Sequence, residues 1–234
     1  ARQSSTRNTY VVLFDSLTLA EQERLVGILP QLERFNSPLV GHVTPAGGLF
    51  EVLYGLTDIY REPIEAQQQP PAFWQQLQDY QVGVIVTGEL DAFALNDYLR
   101  MQPSDSYRDT LTYSLQTEMS NQVLERIATE IVAGHQVVVT ALNSAESNPA
   151  ENESYSLAAV QVPLFYTSNL PFAEQDLALL TDLTPTLTQR YMTCAGGVES
   201  FATGRNIFLA EEREFPVMTS FGRDIVVYDV DATT

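Results

Sequence analysis

A chain of 234 residues, 44% hydrophobic and 10% aromatic, can bury a sizeable core as one large domain or two small ones, and no apolar stretch approaches the roughly 20 residues of a bilayer-crossing helix. Its net charge of -18 sets 30 acidic against 12 basic residues, every basic one an arginine; at 18% charged residues, below the ~25% usual for globular domains, the acidity is a shortage of lysine rather than an excess of carboxylate. Without amines the chain excludes Schiff-base chemistry, a lysine base and a P-loop lysine, and nucleic acid and anionic membranes, which need cations to replace their counterions, are not expected partners.

Residues 1–8 carry no large apolar side chain and read as a mobile arm. The start at Ala1, without methionine or apolar leader, is what signal-peptide removal leaves. Tyr10–Phe14 is an apolar run suited to a buried strand. Thr18 and Glu21 then form a capping box, opening a helix that buries Leu25, Ile28 and Leu29 and meets Pro30. Pro38–Val43 and Leu49–Leu56 read as strands joined by the turn Pro45-Ala46-Gly47-Gly48, so that 9–64 forms a strand-helix-hairpin unit. Glu65–Pro71, with three glutamines and two prolines, reads as a linker to an α+β domain over 72–234, either separate from 9–64 or continuous with it.

In that second stretch the pattern predicts a short helix at Phe73–Tyr80, a strand at Val82–Val86, and a helix capped by Asp91 that buries Phe93, Leu95, Tyr98 and Leu99. Leu111, Leu115, Met119, Val123, Ile127 and Ile131 recur every four residues, which predicts one long helix over 109–133 stopped by Gly134. Strands at Gln136–Leu142 and Tyr155–Tyr166 flank a polar loop holding the sequon Asn152-Glu153-Ser154. A helical region from Pro171 to Tyr191, broken near Pro185, precedes strands at Ile207–Ala210, Phe215–Thr219 and Asp224–Val230. The fold class expected is α+β, with mixed, mainly antiparallel sheets packed with helices.

Candidate chemistry is sparse. His42 falls in an expected strand, and His135 follows a helix end, where a cation meets the dipole favourably; both read as structural. Cys194 stands alone, reads as a core cysteine, and together with the two histidines shows no zinc-ligand spacing, so no metal or cofactor is expected. Gly47-Gly48 and Gly196-Gly197 lack the pattern of a dinucleotide loop. Glu211-Glu212-Arg213-Glu214 reads as a solvated turn, and Tyr54, Tyr60, Phe73, Trp74 and Tyr80 as packing rather than a sugar platform.

The run Val226-Val227-Tyr228-Asp229-Val230-Asp231-Ala232-Thr233 resembles the nucleophile motif of haloacid-dehalogenase-type phosphatases. That family places the motif near the N-terminus, with a lysine downstream that this chain lacks, and the run is read as a chance match. Phe14-Asp15-Ser16-Leu17-Thr18 offers the same motif with Leu17 in place of its second aspartate, and is read likewise.

The expectation from sequence is therefore a non-enzymatic extracytoplasmic protein, periplasmic or secreted, with a structural, assembly or binding role through a protein partner or self-assembly. The alternative is a metal-dependent hydrolase or phosphotransferase using carboxylates such as Asp229 and Asp231. A third reading is a halophilic cytosolic protein, whose acidic surface would need salt.

Overall fold

The computed structural model describes residues 8–100, 107–145, 157–192, 202–209, 217–221 and 224–228. In chain order the elements are β1 (Thr9–Phe14), α1 (Leu19–Ile28), β2 (Leu32–Arg34), β3 (Leu39–Val40), α2 (Pro45–Tyr54), α3 (Arg61–Glu65), α4 (Ala72–Asp79), β4 (Val82–Gly88) and β5 (Asp109–Gln116). There follow α5 (Asn121–Val132), β6 (Gln136–Ala141), α6 (Leu157–Val160), β7 (Gln161–Val162), β8 (Leu164–Thr167), β9 (Ala178–Leu179), α7 (Leu183–Thr188), β10 (Val217–Phe221) and β11 (Asp224–Tyr228).

Six strands form the main sheet in the order β2-β8-β6-β1-β5-β4, with smaller sheets β7-β3-β9 and β10-β11. The class is α+β, mixed sheets with helices, as the alternation of patterns predicted. The antiparallel preponderance is not observed in the main sheet: β6, β1, β5 and β4 all run parallel, and only β8 reverses, so that the edge strand β2, antiparallel to β8, points the same way as the other four. β1 explains this locally, because all six residues of Thr9–Phe14 are buried, as befits a strand covered on both faces in a parallel sheet. One core joins β1 and α1 to residues as distant as Leu187 and Ile207.

Several predicted elements are corrected. The long helix over 109–133 is instead a strand, β5, followed by α5. Leu111 and Leu115 are four apart, a spacing that fits the strand period of two as well as a helical turn, and the buried residues Leu111, Tyr113 and Leu115 alternate with the less buried Thr110 and Thr112. The helix begins only where Ser120 caps the Val123 amide, at 3.2 Å, and ends as predicted at Gly134, with φ +79°. The hairpin over 38–56 is instead β3 followed by α2. Thr44 caps that helix, Pro45 occupies its first turn and Gly55 closes it at φ +64°. Eight consecutive residues, Gly47 to Tyr54, are buried, so the helix carries no polar stripe to betray its period. The helix expected after Asp91 is a series of turns with a short 3-10 turn at Asp97–Leu99.

The parallel strands all point their carboxyl ends at one edge. Backbone bonds extend the ladder past that edge: Leu142 N–H donates to the Phe14 carbonyl at 2.9 Å, Asn143 N–H to Asp15 at 3.0 Å, and Asp15 N–H to Gln116 at 3.0 Å. His42 N–H donates to the Leu142 carbonyl at 2.8 Å, which brings the segment leading into α2 onto the same edge.

Candidate active site

In open sheets of this kind ligands bind beyond the carboxyl ends of the strands, and here those ends present Asp15 after β1 and Asn143 after β6. His42 pairs with Asn143 as a parallel bridge, and two residues later the exposed Thr44 begins α2. The close fit depends on two glycines. A Cβ on Gly47 would lie 2.2 Å from the His42 ring, and one on Gly48 would lie 2.5 Å from the Leu142 carbonyl oxygen. The Gly-Gly pair that resembled a turn is therefore the first turn of a helix pressed against an imidazole and a strand end.

His42 is 1% exposed. Its Nδ1 lies 3.0 Å from the Thr44 amide nitrogen and 3.1 Å from Thr44 Oγ1. The amide is an obligatory donor, so Nδ1 offers its lone pair, which assigns the ring proton to Nε2. Nε2 faces Asp58 Oδ2 at 3.6 Å, an ion-pair separation rather than a close hydrogen bond, and Arg61 Nε lies 3.3 Å from the other Asp58 oxygen. Burial acts to raise the Asp58 carboxyl, but the interaction with His42 and the charge of Arg61 outweigh it, so the group titrates below its ordinary value. The result is a hydroxyl, an imidazole and a carboxylate in series.

Thr44 Oγ1 also accepts the Gly47 N–H at 3.2 Å, which fixes the oxygen at the positive end of the helix dipole. Beside this series, burial raises the Asp15 carboxyl above its usual range. The Asn143 side chain, oriented by its hydrogen-bond partners, donates to Asp15 Oδ1 at 3.2 Å and to the Asp15 carbonyl.

The other sequence candidates disperse. His135 sits at the opposite edge, before β6, with Nδ1 2.6 Å from Glu130. Trp74 and Phe73 are 0% and 1% exposed and belong to the core. Cys194, Gly196-Gly197, the sequon, the 211–214 run, Asp229 and Asp231 lie outside the described residues. Thr44 went unnoticed in the sequence, although Thr followed directly by Pro is a helix-start signal, an N-cap with proline at the first helical position.

No protein-family model matches the chain, and no curated protein matches its sequence. In three dimensions it is similar to a protein in the alkaline phosphatase superfamily from Vibrio parahaemolyticus, with TM-score 0.59 and 13% identity over 99% of this chain and 82% of that one. It is also similar to the lipoteichoic acid synthase LtaP from Listeria monocytogenes, with TM-score 0.58 and 10% identity over 87% and 75%. A third likeness is to the C-terminal periplasmic domain of EcEptC from Escherichia coli in complex with Zn, with TM-score 0.55 and 12% identity over 97% and 94%. At such identities the likeness establishes the fold. It corrects the expectation of a non-enzymatic structural, assembly or binding protein, because the architecture is one that an alkaline phosphatase superfamily protein and a synthase use. No helix among the described residues is long and apolar enough to cross a membrane.

The zinc of the EcEptC complex poses a test of donors. Zinc sites draw about four ligands from cysteine, histidine and carboxylate. Among the described residues no three such groups converge. His42 turns Nδ1 to Thr44, Asp15 accepts from Asn143, and the only other histidine lies at the far edge. The described residues do not fit a zinc ion.

Proposed function

We propose that the protein is an extracytoplasmic hydrolase or phosphotransferase acting on phosphoesters, with Thr44 as nucleophile and His42 as its base. The observation that carries this reading is the 3.1 Å contact between Thr44 Oγ1 and His42 Nδ1 at the exposed start of α2. The likeness to alkaline phosphatase superfamily structures supports the reaction class, and the likeness to a periplasmic domain supports the location.

The chemistry follows from the series of groups. As Thr44 Oγ1 bonds to phosphorus, His42 Nδ1 takes the hydroxyl proton, and the imidazolium so formed is stabilised by the Asp58 carboxylate across the ring. The helix end favours the negative charge of the phosphoryl oxygens; the Gly47 and Gly48 amides serve the cap, leaving that of Ala46 in the exposed first turn to donate. The departing alkoxide recovers the proton from His42. Water, or the hydroxyl of an acceptor, then gives its proton to the same nitrogen as it attacks phosphorus, and that nitrogen returns the proton to Thr44 Oγ1 as it leaves. The two outcomes are hydrolysis and transfer.

The test is incubation with bis-p-nitrophenyl phosphate and p-nitrophenyl phosphate, followed by peptide mass spectrometry. Turnover together with a phosphoryl adduct on the peptide bearing Thr44 is expected, both lost in Thr44→Ala. Undiminished turnover in Thr44→Ala would sink the reading.

A further inference from the structure

A cavity of about 430 Å³ opens on the same edge of the sheet. Thr18, from just beyond β1, and Ser144, from just beyond β6, line it, joined by Gln22, Arg34, Ser37 and Gln161 among the polar residues. Ser144 directly follows Asn143, whose backbone pairs with His42. The cavity and Thr44 therefore flank one short stretch of chain.

Its charge runs against the rest of the molecule. The protein holds 30 acidic residues, yet among the described residues none lines this cavity, while one arginine does. Arg61, Arg100, Arg108 and Arg126 each lie within 3.3 Å of a carboxylate. Arg34, exposed on the edge strand β2, has no carboxylate within 4.0 Å among the described residues. A guanidinium at a pocket wall is a ready partner for a phosphate or carboxylate, which it grips through paired N–H donors.

The neighbouring groups suit hydroxyls. Ser37 Oγ accepts the Gln175 amide at 2.7 Å, which leaves its own proton to donate. The Gln22 side-chain nitrogen is held by the Leu17 carbonyl at 3.0 Å, so its oxygen remains to accept. Small-ligand sites commonly span about 300–1,000 Å³, and this cavity is at the lower end. We infer that it binds a small, hydroxyl-rich anion, a phosphorylated sugar or polyol, with Arg34 on the anionic group and Ser37 and Gln22 on hydroxyls. The ligand's part as leaving or accepting half of the substrate rests on the phosphoryl-transfer reading; its binding does not.

The experiment is titration by isothermal calorimetry with glucose 6-phosphate, glucose and inorganic phosphate at low salt, on the wild type and on Arg34→Gln, Arg34→Lys and Thr44→Ala. Saturable binding of glucose 6-phosphate is expected, at least tenfold tighter than glucose or phosphate alone. It should weaken about tenfold or more in Arg34→Gln, a change equivalent to 1.4 kcal/mol, weaken less in Arg34→Lys, which keeps the charge but loses the paired donors, and persist in Thr44→Ala. Equal binding of sugar and sugar phosphate, equal binding of sugar phosphate and phosphate alone, or no effect of Arg34→Gln overturns the inference. Arg34-dependent binding without any turnover would defeat the catalytic reading and leave the pocket standing.

Discussion

The imidazole of His42 occupies the space that a side chain on Gly47 would take, since a Cβ there falls 2.2 Å from His42 Cε1. Gly47→Ala therefore exchanges a helix-propensity gain of about 0.5–1 kcal/mol for overpacking of about 1–3 kcal/mol, and it moves the base away from Thr44. Net destabilisation and loss of phosphoester turnover are expected. Gly27→Ala in α1 is the control, for nothing lies within 4 Å of a Cβ at that site, and it should stabilise by up to about 1 kcal/mol. Denaturant melts of both variants decide the matter; a Gly47→Ala protein as stable and active as the wild type would show that the ring tolerates displacement.

Removing the base should cost more than removing the group behind it. His42→Gln is expected to lower kcat by about 10²–10⁴-fold, the span typical of general base catalysis, with KM little changed. Asp58→Asn keeps an acceptor for Nε2–H but withdraws the negative charge that steadies the imidazolium, so a smaller loss is expected. Thr44→Ser should retain much of the activity that Thr44→Ala abolishes. Steady-state kinetics on one chromogenic diester compares all four.

Asp58 also makes folding depend on pH. Its folded value lies below that of the unfolded chain because His42 and Arg61 outweigh its burial. The stability it contributes is fully present above the unfolded carboxylate value and disappears as pH falls through the folded one. Asp58→Asn should thus be less stable than the wild type at neutral pH, with the gap closing on acidification. Thermal melts across pH 2–7 read this directly, and a constant gap would place the effect in packing instead.

Asp15 behaves in the opposite sense. Burial raises its folded value, so the ionised form is a penalty that is fully present above the folded value and relieved as pH drops through it toward the unfolded one. Asp15→Asn, which preserves an oxygen for the Asn143 amide, should melt higher than the wild type at neutral pH and lose that advantage in acid. A lower melting temperature at neutral pH would mean that the carboxylate is held by charge rather than tolerated.

Much of the fold was legible where a single period was present. β1, the Thr18–Glu21 capping box of α1, α4, β4 and β6 all lie where their patterns predict. α2 was opaque because it is apolar all round and its first turn is spelled Pro-Ala-Gly-Gly, a string that ordinarily signals a turn. β5 was misread because a spacing of four serves two periods at once. At the site, His42 was visible but appeared to be one more strand residue, since its value comes from Thr44 in front and Asp58 sixteen positions on, a juxtaposition made by helix packing. Asp15 was noticed only for a motif it does not complete, and its pairing with Asn143 depends on β1 and β6 being neighbours, which no local pattern encodes.

The contact of Gly48 with the Leu142 carbonyl has a mechanical consequence. With no side chain interposed, the first turn of α2 rests directly on the strand extension that bears Asn143, so any larger residue at position 48 would wedge the two apart and carry Thr44 away from Asn143.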